Sequence, residues 1–295
     1  MKMLLNFDHW FSIVFSEKNQ KNIERLILRL SVIGFIIHLM LIYANRFHWF
    51  NSPFEAQLLE DPISAIYTPF SIILIYEVYL LVFYLPRSFT TSVSKQFEII
   101  SLIIIRKIFA DIPKLNFSES EIFNPYNLQL LYDLLGILVL YFLIFLFNQR
   151  RQKLPKKILS NRLEKFVRAK KGVSILLLPI FITMLGYSLM NWLWYLVNDP
   201  QNLGQININY IFYTDFFTLM ILADVFILLI SFRFTERYSQ LIRNTGFVIS
   251  AILIRLSFNT TGLVNLILIV FSVIFSLIIL RIYLAIEKAD EIKVN

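Results

Sequence analysis

The 295 residues contain no cysteine, so disulfides, thiolate metal sites and cysteine nucleophiles are all excluded. Histidine is nearly as scarce. His9, His38 and His48 are too few and too scattered to ligate a metal or a haem, and no cofactor is expected. The spacings HExxH, GxxxxGK[ST] and GxSxG do not occur, so the sequence points away from an enzyme. Glycine numbers only seven, and only Gly34, Gly136, Gly186 and Gly246 lie in or beside apolar segments. Carriers built on unwound helices place Gly or Pro breaks near the bilayer middle. Here Pro69 and Pro179 lie toward the ends of their segments, which predicts a rigid bundle of complete helices. Phe, Leu and Ile should dominate its contacts, because small-residue motifs for close helix approach are missing.

Charge is also sparse, at 16% against roughly 25% in soluble domains, while 57% of residues are hydrophobic and mean hydropathy is +0.66. Lipid is the expected solvent. Apolar runs of about 20 residues can satisfy their backbone there only as helices, so an all-α integral membrane protein follows. The expected spans are 26–45, 67–85, 96–112, 128–147, 173–196, 211–232, 246–258 and 263–285. The third and seventh have the shortest uninterrupted apolar cores.

Basic residues set the topology. Ten of them lie between Arg150 and Lys171 against the single acid Glu164, and Lys18, Lys21 and Arg25 flank the first span. Both stretches should be cytoplasmic, which requires an even number of crossings between them and favours the third segment as a full span. With eight spans, the inside connections 86–95, 149–172 and 233–243 hold two, ten and three basic residues. The outside connections hold one, one, none and none. Both termini are therefore expected inside, in the cytoplasmic membrane.

An internal match divides the chain further. Tyr67, Glu77 and Arg106 recur in the same order as Tyr213, Asp224 and Arg255, and Ser101–Arg106 aligns with Ser250–Arg255. Two four-helix units of the same orientation are predicted, 26–148 and 173–286, as in parallel-repeat carriers. Residues 1–25 read as an interfacial amphipathic segment, with Leu4, Phe7, Phe11 and Val14 on one face, and not as a signal peptide. Residues 149–172 read as a basic linker helix, with Leu159, Leu163 and Phe166 as its apolar stripe, and 287–295 as a cytoplasmic tail.

Candidate functional residues are those whose charge falls inside a span. An ionised group there costs about 2.5–3.5 kcal/mol on insertion scales, so it should be paired or line a wet cavity. Glu77 and Arg106 come to similar mid-membrane depths on adjacent antiparallel spans, and Asp224 and Arg255 repeat the arrangement. Each acid is expected to contact its arginine. His38, whose counterpart is Met184, reads either as a proton relay or as a neutral histidine bonded within the bundle. Glu98 and Asp133 are expected near water at span ends. Asn45 and Asn191 should cap equivalent spans, and Trp49, Trp192, Trp194 and Tyr195 should form an outer interfacial belt.

Two functions fit these features. The first is an ion channel or ion-coupled transporter with the charge pairs along its path. The alternative is a non-transporting subunit, sensor or effector acting through its basic face. Expected partners are the bilayer itself, with anionic lipids at the linker, and a second copy or a partner membrane protein; nucleic acid is not expected. The fourth and eighth spans lack arginines at three-residue spacing, so a voltage-sensing ladder is absent.

Single cysteines at Ser118 and Ser160, introduced into this cysteine-free chain, should label from opposite sides of the membrane. Labelling of both from one side would remove the eight-span topology.

Overall fold

The computed structural model describes residues 11–47, 59, 61–112, 124–154, 161–198, 208–235, 237–260 and 262–294. Eight long helices carry almost all of them: α1 (Glu17–Arg46), α2 (Tyr67–Tyr84), α3 (Phe89–Asp111), α4 (Pro125–Arg151), α5 (Asn161–Asn198), α6 (Ile208–Phe234), α7 (Tyr238–Leu256) and α8 (Gly262–Val294). Each expected span coincides with one helix. The ends follow local chemistry. Ser16 caps α1 by accepting from Asn19 N, and Asn124 caps α4 by accepting from Asn127 N ahead of Pro125, whose fixed φ suits a first helical position. Asp61 starts the 3-10 turn Pro62–Ile66 that feeds α2.

Among the described residues seven segments are long and apolar enough to cross a membrane: Glu17–Arg46, Pro62–Tyr84, Asn127–Arg151, Glu164–Ser188, Asp215–Phe234, Tyr238–Asn259 and Gly262–Ala289. The expected count of eight is met at seven. The exception is α3, the expected third span, because any 18-residue stretch of it contains Lys95, Glu98 and Arg106.

The polarity of the packing is inverted relative to a water-soluble protein. Large apolar side chains face outward on the long helices, Met40 at 66% exposure on α1 and Phe142 at 62% on α4 being examples. Buried instead are Glu77, Arg106, Asp224, Arg255, Lys170 and a series of serines including Ser231, Ser250 and Ser272. In water each square ångström of exposed apolar surface would cost about 25 cal/mol, whereas hydrocarbon imposes no such penalty. The chain is a polytopic α-helical membrane protein.

Its compact units do not follow the two expected halves. One comprises Met1–Phe83, Arg106–Leu115 and Ile175–Tyr213; the other comprises Tyr84–Ile105, Asn116–Ser174 and Thr214–Asn295. In the first unit, Phe15 is buried and stacks toward Phe83, and Tyr79 Oη donates to the Val14 carbonyl. Residues 11–15 are thus held against α2, and 17–25 already belong to α1; the remainder of the expected interfacial segment, 1–10, lies outside the described residues. The basic linker also differs from expectation. Residues 161–172 are the opening turns of the same 38-residue helix that carries the fifth expected span, and Phe166 is buried between Phe89 and Phe234. Residues 155–160, including Pro155 and Leu159, lie outside the described residues.

Within the second unit, α8 packs against α4 and α7 through glycine. A Cβ at Gly246 would meet Ile279 Cγ1 at 2.7 Å, and one at Gly136 would meet Leu266 Cδ1 at 2.8 Å. Single glycines therefore set helix spacing here, where the sequence shows no GxxxG motif. Gly246→Ala should lower the melting temperature of the detergent-solubilised protein, by the equivalent of about 1–3 kcal/mol for an overpacked contact. Adding Ile279→Ala should recover much of the loss, and equal melting of Gly246→Ala and wild type would show that the two helices can part without cost.

Candidate functional site

Among the described residues each unit holds one buried acid–arginine pair. In the first unit, Arg106 Nε lies 3.3 Å from Glu77 Oε2, with side-chain exposures of 8% and 2%. Glu77 stands midway along α2 and Arg106 in the closing turns of α3, and a buried charge of either sign is costly without its partner. His38 Nδ1 lies 2.6 Å from Thr68 Oγ1, so the imidazole is hydrogen-bonded between α1 and α2 and separate in the chain from either acid. Asn45 Nδ2 reaches the Leu59 carbonyl at 3.5 Å.

The second unit holds a larger cluster. Arg255 is fully buried, and its Nη1 forms an ion pair with Asp224 Oδ2 of α6. Its Nη2 donates to Gln96 Oε1 of α3 at 3.0 Å, and Gln96 Nε2 donates in turn to Ser92 Oγ one turn earlier. Arg255 stands in the last turn of α7, where the carbonyl ends of the helix favour a cation. Its Nε has no hydrogen-bond partner among the described residues.

Lys170 of α5 completes the group. It is 2% exposed, donates from Nζ to the Arg87 carbonyl, and lies 4.6 Å from the ring centre of Phe89 and 5.5 Å from that of Phe166. A carbonyl and two ring faces stabilise an ammonium but do not neutralise it. Asp224 and Arg243 both act electrostatically on Lys170, with opposite signs. Gln96, Ser92, Lys170 and Asp224 line a narrow cavity of about 10 Å³ together with apolar walls that include Phe89 and Ile227. That volume suits one water-sized occupant.

The sequence reading placed Glu77, Arg106, Asp224 and Arg255 at interacting depths, and the structure brings each acid to its arginine. It missed Gln96 and Lys170. Lys170 is hidden among the ten basic residues that dictate topology, yet a signal was available. Phe166, Lys170 and Ser174 recur at four-residue spacing, so continuing the stripe through Phe166 puts Lys170 on the buried face. Asp133, expected near water, is instead buried and accepts from Gln129 Nε2 at 2.8 Å. Glu98 is half-buried and ties Lys95 to Asn148 at one end of α3. Trp194 is exposed; Trp49 and the side chains of Trp192 and Tyr195 lie outside the described residues.

Among the described residues no three His, Asp or Glu side chains gather as a metal site. Compared with protein-family models, curated proteins and solved structures, the chain matches none of them.

Removing one member of a buried pair strands the other, at a typical cost of 3–5 kcal/mol, whereas removing both is far milder. Glu77→Gln and Arg106→Gln should each reduce yield and melting temperature sharply, and the double variant should recover most of the loss. Asp224→Asn and Arg255→Gln should behave alike, with less recovery because Gln96 then also loses a partner. Additive losses within either pair would falsify the coupling.

Proposed function

We propose that this protein is a membrane transport protein, an ion channel or ion-coupled carrier, with the Asp224–Arg255–Gln96–Lys170 cluster on its path. The observation that carries this reading is the cavity at Asp224. A purely structural ion pair in hydrocarbon gains from being packed dry, because water or an open space beside it leaves part of its desolvation uncompensated. Here a water-sized space with largely apolar walls reaches Asp224 of the pair, and Ser92, Gln96 and a further buried basic residue, Lys170, also line it. Polar and ionisable residues inside membrane segments that face a cavity characteristically mark ion or substrate paths. Glu77 and Arg106 serve on this reading as scaffold, fixing the register of α2 and α3. Eight crossings, cytoplasmic termini and a parallel repeat relating the Glu77–Arg106 and Asp224–Arg255 pairs belong to the same proposal.

The second reading, a non-transporting subunit or effector, is favoured by the closure of both ion pairs, since neither acid lacks its arginine. The basic residues of 149–172 would then serve a partner or an anionic leaflet.

Flux decides between them. Purified protein in proteoliposomes should conduct or carry a small ion, and Asp224→Asn or Lys170→Gln should lower the rate by about tenfold or more, a change of 1.4 kcal/mol in the barrier. Glu77→Gln/Arg106→Gln, which leaves the cluster intact, should retain the flux of whatever fraction folds. No flux of protons, alkali cations or halides, together with recovery of a stoichiometric protein partner from the native membrane, would sink the transport reading and establish the second.

A further inference from the structure

We infer that the cavity beside Lys170 is a binding site for a small monovalent anion of halide size. The inference deepens the transport reading by naming the class of ion, and it rests on that reading for its physiological use; binding itself is separately measurable.

Charge counting at the site leads to the anion. Two cations, Lys170 and Arg255, are buried together with one carboxylate, Asp224. Asp224 is already committed to Arg255 through Nη1, so it neutralises one positive charge and leaves the other. Lys170 makes no ion pair within 4 Å among the described residues, and the field of Arg243 adds further positive potential at its ammonium. Among the described residues, Glu98 is engaged with Lys95 and Asn148, Glu287 with Arg237 and Ser239, and Glu164, on the same helix as Lys170, is exposed. A buried lysine without a counter-charge either gives up its proton or recruits an anion, and a mobile anion is the counter-charge that needs no further residue.

The lining has the matching chemistry. A lysine ammonium carries three donors, and only one is used, on the Arg87 carbonyl. Ser92 and Gln96 add a hydroxyl and a carboxamide to the cavity wall. Behind them the unpartnered Nε–H of Arg255 increases the local excess of donors over acceptors. Phe89 contributes to the wall as well as to the cation's surroundings, and the edge of an aromatic ring is the electropositive part of its quadrupole. A cavity of about 10 Å³ has room for one small occupant, which favours a monatomic ion over a tetrahedral or larger anion. A cation would meet two positive groups for one committed carboxylate and is disfavoured there.

Bromide is the direct probe. Crystals of the full-length wild-type protein grown or soaked in sodium bromide should show an anomalous peak against Lys170 Nζ in this cavity. In solution, sodium chloride and sodium bromide should raise the melting temperature of the wild type above that in sodium gluconate at the same ionic strength. Sulfate, matched in the same way, should not. Lys170→Met should weaken the halide effect roughly tenfold or more, the value of a lost charge-assisted hydrogen bond, while Lys170→Arg keeps part of it. Absence of the bromide peak in wild-type crystals, or a halide effect undiminished in Lys170→Met, overturns the inference even where one variant folds poorly. Halide binding without flux of halides, protons or alkali cations would overturn the transport reading and leave the site standing. Proton or cation flux with no halide binding would do the reverse.

Discussion

Hydrocarbon supplies neither a counter-charge nor a hydrogen bond, and the interior of this protein is organised around that lack. A buried ionised group is stabilised by its complement on a neighbouring helix, so the two acid–arginine pairs fix which helices lie together and in what register. Glu77 holds Arg106 between α2 and α3 in one unit, and Asp224 holds Arg255 between α6 and α7 in the other. Leu, Ile and Phe contacts around these pairs are interchangeable within a methylene or two. The pairs are not, because a slip of one residue along either helix separates donor from acceptor and strands both charges.

The two pairs differ in what surrounds them. Glu77 and Arg106 are of opposite sign and close on each other. Arg255 is shared between Asp224 and Gln96, and the same cavity admits the side chain of Lys170, whose charge the carboxylate does not cancel. An apolar residue at Lys170 would pack against Phe89 and Phe166 with no desolvation penalty, so a lysine there is expensive on stability grounds. Such expense is typical of groups that hold or pass an ion, and it is this asymmetry that distinguishes the second cluster from a structural staple.

Glycine scarcity fits the same picture. With few Gly or Pro positions able to unwind a helix, alternative conformations arise more readily from rotamers and from small helix displacements than from broken backbone. Gly136 and Gly246 serve instead to bring α8 close to α4 and α7, where an added Cβ would strike Leu266 or Ile279. The long, rotatable side chains of Lys170, Gln96 and Arg255 are the adaptable part of the site.

The sequence alone determined the all-helical membrane class, the location of the eight described helices and which acid would meet which arginine. These are local or counting properties: hydropathy over about 20 residues sets a helix in lipid, and a rise of 1.5 Å per residue converts position into depth. It counted α3 as a crossing from the parity of the basic flanks, where three charges keep α3 from matching the apolar length of the other seven, and it read 161–172 as a separate linker. Only the tertiary structure decided that Lys170 turns inward and that Gln96 meets Arg255 across 159 residues of chain. It also decided that Asp133 is buried. The physical reason is that a helix specifies which residues share a face, but the neighbour that face meets is set by packing between segments remote in sequence, and a basic residue that orients a loop has the same appearance in the sequence as one that guards a cavity.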